Sequence, residues 1–479
     1  MLKNIFITIL LICSVSGVWG QKSVKVKVSG NVITTDGVPA EFINIQLKNT
    51  FYGGTSDGKG YFEFMAPAGQ YTMIVQSIAA HRREFPVTIE EGKENHFADI
   101  EIRENINQLE QVVVTGQFSP QSMRNSLYKV RTVNSEQIRQ KAPTSVQSLL
   151  NTEIGIRLSN DMALGETDFE LMGMSGNNVK ILLDGIPLID RGATKQSLSQ
   201  LDVNSIERVE IVEGPMSVVY GTDALAGVIN IITKKGDGYS EENTWRVGAR
   251  VQEESMGKEY DFFKDKGLHN ESIDLGFNHK SGLFVNGGYT RNNHGGWQGD
   301  LTGREKRWHP KDQALMNGMF GFQNRNMNVW YRLDFLDEKI FGPNNGSELQ
   351  PEKVSDKDFL TKRYTHQLQS DWKLDNRLDV HAALSYQDYK RRTRTTESDL
   401  STGEKWLSSA EASQDITQYK AWIARATVAW NIAPEFSVQP GVEYQWTQGE
   451  GGRIDGTPKV SDLAFFLSAE YKPWEWLSL

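Results

Sequence analysis

Two neighbouring stretches decide the fold of this chain, IERVEIVEGP at residues 206–215 and VYGTDALAGVINIIT at residues 219–233. The second stretch contains a glycine-bounded loop, but no Gly-Lys-Ser/Thr follows, so this loop does not have the pattern that cradles nucleotide phosphates. In the first stretch Arg208 lies between Glu207 and Glu210. We interpret this alternating charge as a solvated or wall-facing strand edge, and not as an acid–base pair.

The residues upstream predict further short elements of the same domain. Residues 177–188, NNVKILLDGIPL, indicate a buried strand, a tight Asp-Gly turn and a return strand. Ser135 and Ser145 are the expected N-caps of two short helices separated by Pro143, and Gly155 is expected to end the second helix.

Taken together, residues 119–236 resemble the plug domain of TonB-dependent outer-membrane receptors, with both stretches in the order and at the separation typical of that family. One position departs from the family pattern, because Glu213 stands where many members have an arginine. We therefore assign Glu213 no ion pair with a barrel wall.

After the plug, apolar residues alternate with period two over about ten segments, many of which end in an aromatic residue. Short and long gaps alternate strictly between these segments, as turns and loops do in outer-membrane barrels. The short gaps lie near residues 280–282, 324–326, 375–377, 433–435 and 473, and the long gaps near 254–270, 292–314, 337–363, 389–418 and 447–461. Residues 237–479 are therefore expected to form part of a transmembrane β-barrel.

The predicted fold is thus dominated by β structure, with an N-terminal β-sandwich, a mixed α/β plug and about half of a barrel. The resemblance implies a closed barrel of 22 strands, so we expect that this chain is a fragment of a longer protein and does not transport by itself.

The start of the chain predicts export. Lys3, the apolar run from Ile5 to Val18 and a cleavage point before Gln21 indicate a signal peptide over residues 1–20. Cys13, the single cysteine, lies inside it, so the mature chain is expected to have no disulfide and no thiolate metal site. A net charge of −9 and a pI near 5.6 argue against a nucleic-acid partner.

Residues 21–104 alternate in short strands with turn residues between them and resemble the carboxypeptidase-regulatory-like β-sandwich. That module is an accessory without peptidase chemistry. A spacer is the favoured role, and carbohydrate binding is the alternative.

Residues 105–118 contain a valine run with polar neighbours, suited to joining a partner's sheet edge as an added strand. The segment resembles a TonB box, and its alternative interpretation is the last strand of the sandwich. The residues expected to bind TonB are Glu110, Gln111, Val112, Val113, Val114 and Thr115.

Ligand-binding candidates are arginines, aromatic residues and one aspartate, because arginine and aromatic side chains suit an anionic ferric chelate. They are Asp161 and Arg191 on the plug, and Trp297, Arg304, Arg307 and Trp308 on the second long loop. Arg391, Arg392 and Arg394 are expected on the fourth long loop, and His294 and His309 are weaker candidates for haem. Contact with lipopolysaccharide phosphates, or plain solvation, is the alternative for each residue.

The resemblance implies energy-coupled import of a ferric siderophore or a cobalamin-like chelate. The implied partners are TonB with its inner-membrane motor, outer-membrane lipid and the small-molecule ligand, and the N-terminal sandwich would lie in the periplasm. We expect no cofactor, no bound metal and no enzymatic activity. The alternatives are an oligosaccharide importer of the same superfamily and a signalling or adhesion receptor that does not transport.

Overall fold

The computed structural model describes most of the chain after the first 24 residues. The described residues are 25–34, 37–77, 80–93, 95–102, 112–113, 115, 121–122, 129–161, 166–190, 196–216, 220, 224–236, 242–375, 377–433, 435–452 and 454–474. The predicted signal peptide lies outside them. The chain divides into two units, residues 1–112 and 113–479, and each is described by itself.

Seven short strands form a two-sheet sandwich in the first unit. They are β1 (Lys25–Thr34), β2 (Asn44–Leu47), β3 (Gly53–Thr55), β4 (Tyr61–Pro67), β5 (Gly69–Ser77), β6 (Ala80–Ile89) and β7 (Asn95–Ile102). One sheet has the order β4-β1-β7 and the other β3-β2-β5-β6. Alternating residues of β1, such as Val28 and Val32, are fully buried against Ile45, Phe62 and Met73 from other strands. The period-two pattern therefore produces a half-buried strand, as expected.

The valine run forms a very short strand, β8 (Val112–Val113). It pairs with β9 (Gln121–Ser122), and among the described residues it joins neither sheet of the sandwich. Where it is described, the segment therefore pairs with β9 and not with a sandwich strand.

Within the described residues the plug contains short strands, short α-helices and short 3-10 helices, built around two clusters of buried apolar side chains. Its elements are β10 (Val130–Val133), α1 (Ser135–Lys141), α2 (Val146–Leu150), β11 (Ile156–Asp161), β12 (Glu166–Leu171), β13 (Met174–Ser175), β14 (Val179–Leu183), β15 (Ile186–Pro187), β16 (Ile206–Glu213) and β17 (Gly227–Thr233). The order in the main sheet is β10-β16-β17-β14-β15, and β11, β12 and β13 form a second, antiparallel sheet. Every residue of β17 is buried, which explains its continuous apolar sequence.

The helix boundaries differ in part from the expectation. Asn134, and not Ser135, caps α1, because its side chain accepts a hydrogen bond from the Gln137 amide. Ser145 caps α2 as predicted. That helix ends at Leu150 with Asn151 as its C-cap, so Gly155, which has a φ of +78°, lies beyond the helix.

One large antiparallel sheet follows the plug. Its strands are β18 (Thr244–Glu254), β19 (Leu268–Asn278), β20 (Leu283–His294), β21 (Lys311–Gln323), β22 (Met327–Gly342), β23 (Lys353–Lys373), β24 (Leu378–Asp399), β25 (Lys405–Leu407), β26 (Ile416–Ala433), β27 (Phe436–Gly451) and β28 (Lys459–Tyr471). They pair in chain order, except that the small β25 pairs only with β24. In these strands every second residue faces outward, and the apolar side chains at those positions are exposed. They include Trp245 (75%), Val247 (70%) and Phe465 (76%). This is the exposed apolar stripe expected of a lipid-facing surface.

The strands are longer than the sequence pattern indicated. β23 has 21 residues and β24 has 22, which is about twice the length needed to span a membrane. Arg391, Arg392 and Arg394 therefore lie on β24 and not on a loop, which corrects the expectation. Cross-strand pairing continues past the apolar stripe, where the residues are polar and hydropathy gives no signal. No helix within the described residues is long and apolar enough to cross a membrane.

Candidate coupling site and loop cluster

Thr115, the last residue of the predicted TonB-binding set, is fully buried against the plug sheet. Its backbone amide donates a hydrogen bond to Glu210 Oε2 (2.9 Å), and its hydroxyl donates to the same oxygen (2.5 Å). Asn230 Nδ2 in turn donates to Thr115 Oγ1 (2.9 Å). These three hydrogen bonds attach the end of the predicted coupling segment to strands β16 and β17. We call this contact the Thr115 anchor.

Glu210 is the acceptor at the centre of the Thr115 anchor, and it is 0% exposed. Its second oxygen accepts a hydrogen bond from Arg208 Nε (2.9 Å). The interpretation of Glu210 as part of a solvated or wall-facing edge is therefore wrong. A buried carboxylate requires partners, and Thr115, remote in sequence, provides two of the donors.

Asn230 connects the Thr115 anchor to the predicted Asp-Gly turn. Its Oδ1 accepts a hydrogen bond from the Gly185 amide (2.9 Å), while its Nδ2 binds Thr115. Asp184 and Gly185 have φ values of +49° and +83°, as a tight hairpin turn of this kind needs. The Asp184 carboxylate accepts hydrogen bonds from the amide (3.0 Å) and hydroxyl (2.7 Å) of Thr233. One network of side chains thus connects the anchor with this turn.

Glutamines on the inner face of the large sheet bind the backbone of the same turn and of the residues after it. Gln369 Nε2 donates to the Asp184 carbonyl (2.9 Å), and Gln367 Nε2 donates to the Leu183 carbonyl (3.1 Å). Gln387 Nε2 donates to the Pro187 carbonyl (2.7 Å). The plug therefore contacts the wall through hydrogen bonds to its main chain.

The hydrogen bonds to the wall continue toward the predicted ligand loop. Gln387 Oε1 accepts a hydrogen bond from the Ile189 amide (3.0 Å), and Arg363 Nη1 donates to the Ile189 carbonyl (2.7 Å). The Asp190 carboxylate accepts hydrogen bonds from the amide (2.7 Å) and hydroxyl (2.8 Å) of Ser197. Residue 191 follows directly, so the network extends from Thr115 to the edge of a predicted ligand-binding position.

A second polar contact joins plug and wall at Asp202. Thr290 Oγ1 donates to Asp202 Oδ1 (2.9 Å), and Asn317 Nδ2 donates to Asp202 Oδ2 (3.1 Å). Burial raises the pKa of Asp202 above its ordinary value, and the hydrogen bonds oppose that shift. Lys234, whose pKa burial lowers, lines the same small polar cavity.

Glu213, the position that departs from the family pattern, has its ion pairs within the plug. It contacts Lys129 Nζ at 2.7 Å and Arg131 Nε at 2.8 Å. The Lys129 hydrogen bond, with the nearby Arg131 charge, holds the pKa of Glu213 below its ordinary value. The Glu213 carboxylate therefore forms its ion pairs at the edge of the plug sheet where β10 pairs with β16.

The predicted loop residues form a compact cluster. Trp297 and Trp308 make a backbone bridge and an edge-on ring contact at 5.8 Å, and the His294 ring lies 6.0 Å from Trp308. Arg304 forms a two-pronged ion pair with Asp356, with contacts of 3.0 and 2.6 Å. The loop thus presents an aromatic surface in which Trp308 is 39% exposed.

The two loop arginines already have acidic partners. Besides the pair of Arg304, Arg307 Nε contacts Asp300 Oδ1 at 2.5 Å. Less of their charge is therefore free for an anionic ligand than the sequence suggested.

The remaining predicted site residues give less information. Glu110, Gln111, Val114 and Arg191 lie outside the described residues, and Asp161 is the last residue of β11. Within the described ranges, no three His, Cys, Asp or Glu side chains converge as a metal site requires. The wall glutamines were not predicted from the sequence. Their only sequence signal is that they alternate with the outward apolar residues of the same strands, which places them on the inner face.

Comparisons with known proteins agree with this architecture. The family model for the TonB-dependent receptor plug domain matches residues 122–228, and that for the CarboxypepD_reg-like domain matches residues 28–114. Over 139 residues the chain is 32% identical to the vitamin B12 transporter BtuB of Vibrio vulnificus, a match that covers 29% of this chain and 23% of that protein.

Two solved structures from Pseudomonas aeruginosa share the fold. The ferric enterobactin receptor PfeA aligns with a TM-score of 0.53 and 15% identity, over 76% of this chain and 57% of that chain. FpvA bound to heterologous pyoverdines aligns with a TM-score of 0.51 and 13% identity, over 78% of this chain and 60% of that chain. This chain therefore spans less than two thirds of the length of each of these relatives.

The two family models match the plug and the sandwich, and the two solved structures cover 76% and 78% of this chain. Residues 122–228 are a TonB-dependent receptor plug domain, preceded by a carboxypeptidase-regulatory-like domain, in an outer-membrane chain with the barrel-like fold of TonB-dependent receptors.

Proposed function

We propose that this chain acts in energy-coupled uptake of a scarce nutrient across the outer membrane, as a TonB-dependent receptor for a ferric siderophore or a cobalamin-like chelate. The observation that carries the proposal is the Thr115 anchor, because it joins a short, β-prone segment to the centre of the plug sheet.

A pulling force on the valine run, or its pairing with a strand of TonB, would act first on the Thr115 anchor. We propose residues 110–115 as the TonB-binding segment, which would add as a strand to an edge of TonB through main-chain hydrogen bonds. A pull on Thr115 loads Glu210 and Asn230, and through Asn230 it loads the turn at Gly185. Coupling would thus enter the plug at β16 and β17.

The same network supplies a route to the ligand side. The wall glutamines bind the main chain at residues 183–187, and the hydrogen bonds at Ile189 and Asp190 end beside Arg191. A ligand that displaces Asp190 would therefore disturb the hydrogen bonds that lead back to Thr115. Such two-way coupling is the requirement for a gated importer.

The ligand class rests on the relatives and on the loop chemistry. The relatives with matching sequence or fold are named for vitamin B12, ferric enterobactin and pyoverdines. Trp297 and Trp308 offer flat aromatic surfaces for stacking. Arg304 and Arg307, already paired, would contribute mainly by holding the loop, and Asp161 and Arg191 remain proposed contacts on the plug.

The test is growth of a strain whose chromosomal gene carries Val113→Pro, since proline removes an amide donor from the segment proposed to pair. Val113→Ile, which keeps the amide and the β-propensity, is the matched control. We expect Val113→Pro to fail under iron or cobalamin limitation and Val113→Ile to grow, with equal receptor levels in the membrane. Normal growth of Val113→Pro in every medium would contradict the coupling assignment, and failure on glycans alone would reassign the ligand to oligosaccharides.

A further inference from the structure

We propose that Glu253 is a positioning residue for ligand binding. It holds the first long loop, residues 255–267, in the conformation against which the second long loop, residues 295–310, packs with its Trp297 and Trp308. The proposal rests on the proposed function in one respect, namely that the second loop contacts the ligand. Glu253 acts through the two loops and does not touch the ligand itself.

One carboxylate oxygen of Glu253 links two strands to the first loop. Glu253 is directly opposite His269 across β18 and β19, and its Oε2 lies 2.7 Å from His269 Nδ1. The same oxygen accepts hydrogen bonds from the Tyr260 hydroxyl (3.0 Å) and the Phe263 amide (3.3 Å), both in the first loop. The Glu253 side chain is 15% exposed, so these contacts are largely shielded from water, where hydrogen bonds to a charge are strong.

The backbone of the first loop needs such a contact. Phe263 and Asp265 have φ values of +57° and +55°, a left-handed conformation that is unfavourable for residues other than glycine. Conformations of this kind persist only where the surroundings impose them, and they cluster at functional sites. The amide that Glu253 binds belongs to Phe263. Glu253 therefore acts at the point where the loop is least able to keep its conformation alone.

The histidine beside Glu253 is a second sign of a specialised position. His269 is 1% exposed, and its ring lies 6.2 Å from the Tyr260 ring. Within the described residues its Nε2 has no hydrogen-bond partner, and a buried polar atom without a partner costs free energy. An apolar side chain at this position would avoid that cost. We therefore infer that the His269–Glu253 pair serves the position of the loop and not only the stability of the sheet.

The first loop passes this position on to the second loop through a side chain. Glu259 Oε1 accepts a hydrogen bond from the Gln298 amide (3.1 Å). Gln298 directly follows Trp297, whose backbone forms a bridge with Trp308. A shift of the first loop would therefore act on the main chain that carries the two tryptophans.

The two loops also meet through their backbones. The Gly295 amide donates a hydrogen bond to the Gly267 carbonyl (2.9 Å). A Cβ atom at Gly295 would collide with the Asp265 carbonyl, so the two main chains are in direct contact there. Asp265 is one of the residues in the left-handed conformation. The strained part of the first loop is thus the part on which the second loop lies.

The first measurement is hydrogen exchange of the purified chain in dodecyl maltoside micelles, followed by mass spectrometry of the loop peptides. Glu253→Ala removes the acceptor, and Tyr260→Phe removes one donor while keeping the ring. Glu271→Ala is the matched control, because Glu271 shares its face of β19 with His269 and, within the described residues, has no hydrogen bond or ion pair.

We expect Glu253→Ala to exchange about tenfold faster than the native chain in both loops, since a hydrogen bond to a charged group contributes roughly a factor of ten. Tyr260→Phe, which loses one hydrogen bond and keeps the others, should exchange about threefold faster. The Glu271→Ala control should exchange as the native chain does.

The second measurement separates positioning from a general loss of structure. Uptake of labelled cyanocobalamin and of ferric enterobactin is followed against concentration, in strains with equal receptor levels in the membrane. We expect Glu253→Ala to raise the half-saturating concentration about tenfold and to leave the maximal rate within about twofold, because the loops change while the Thr115 anchor does not. A variant that had only lost structure would lower the maximal rate instead.

Unchanged exchange of the second-loop peptides in Glu253→Ala would overturn the proposal, and so would an equal effect of Glu271→Ala. A lower maximal rate with an unchanged half-saturating concentration would overturn it as well. If the native chain takes up neither probe, the proposed ligand class fails, while hydrogen exchange still decides the role of Glu253. If Glu253→Ala does not reach the membrane, Tyr260→Phe decides by the same two measurements.

Discussion

Replacement of Thr115 by valine tests the Thr115 anchor directly, because it removes the hydroxyl and keeps nearly the same shape. The variant loses the hydrogen bond from Thr115 Oγ1 to the buried Glu210 carboxylate and leaves Asn230 Nδ2 without that acceptor. A hydrogen bond to a charged group contributes about 1.5–3 kcal/mol. We therefore expect the free energy of local opening at Thr115 to fall by about 2 kcal/mol, while the Thr115 amide still reaches Glu210.

The assay is hydrogen exchange of the peptide that contains the Thr115 amide, followed by mass spectrometry. A loss of about 2 kcal/mol corresponds to roughly 30-fold faster exchange when opening is at equilibrium. Thr115→Ser keeps the hydroxyl and should exchange within about threefold of the native chain. The single cysteine lies in the predicted signal peptide, so thiol chemistry does not complicate handling of the mature chain.

Exchange of Thr115→Val at the rate of the native chain would contradict the role of the hydroxyl. Equally fast exchange of Thr115→Val and Thr115→Ser would also contradict it, because the hydroxyl would then not be the group that holds the segment. Faster exchange throughout β16 and β17 would indicate general loosening of the plug instead of local release.

Three single substitutions test contacts elsewhere in the chain. Gly185→Ala places a side chain on a residue with a φ of +83° and should lower the free energy of unfolding by about 1 kcal/mol. The expected readout is a lower midpoint of thermal unfolding, and an unchanged midpoint would contradict the turn assignment. Because the pKa of Glu213 is lowered in the fold, its carboxylate stabilises the chain above the unfolded pKa near ~4.3, and this contribution disappears as pH falls through the lower folded value. The stability difference between the native chain and Glu213→Gln should therefore be present at about pH 7 and should shrink as the pH falls below about 4.3, as followed by denaturant titration. A difference independent of pH would reject the ion pair with Lys129. Arg304→Ala removes the pair with Asp356 and should speed hydrogen exchange of the loop about three- to fivefold, whereas Arg304→Lys should restore part of the protection.

Much of the architecture could be predicted because its signals are local. The alternation that predicted about ten strands follows from side-chain parity, which depends only on the strand backbone. The Asp184–Gly185 turn was predictable because both residues tolerate positive φ, and the structure gives them that conformation. Ser145 caps its helix for a similarly local reason.

The lengths of the strands could not be predicted from hydropathy. Arg391, Arg392 and Arg394 looked like loop residues because their surroundings are polar, yet each is paired in register within β24. Above the apolar stripe, backbone pairing holds the strands together without an apolar signal. Polarity therefore marked the end of the stripe and not the end of the strand.

The sequence by itself determined the order of the modules, the plug signature and the parity of the large sheet, since these depend on neighbouring residues. Only the tertiary structure decided that Glu210 is buried, that Thr115 and Asn230 are its neighbours, and that wall glutamines bind the turn at Asp184. Burial depends on which distant segments cover a residue, and Thr115 is remote from Glu210 in the chain. A charged residue on a strand looks the same in sequence whether water or another segment lies above it, so only the folded chain distinguishes the two cases.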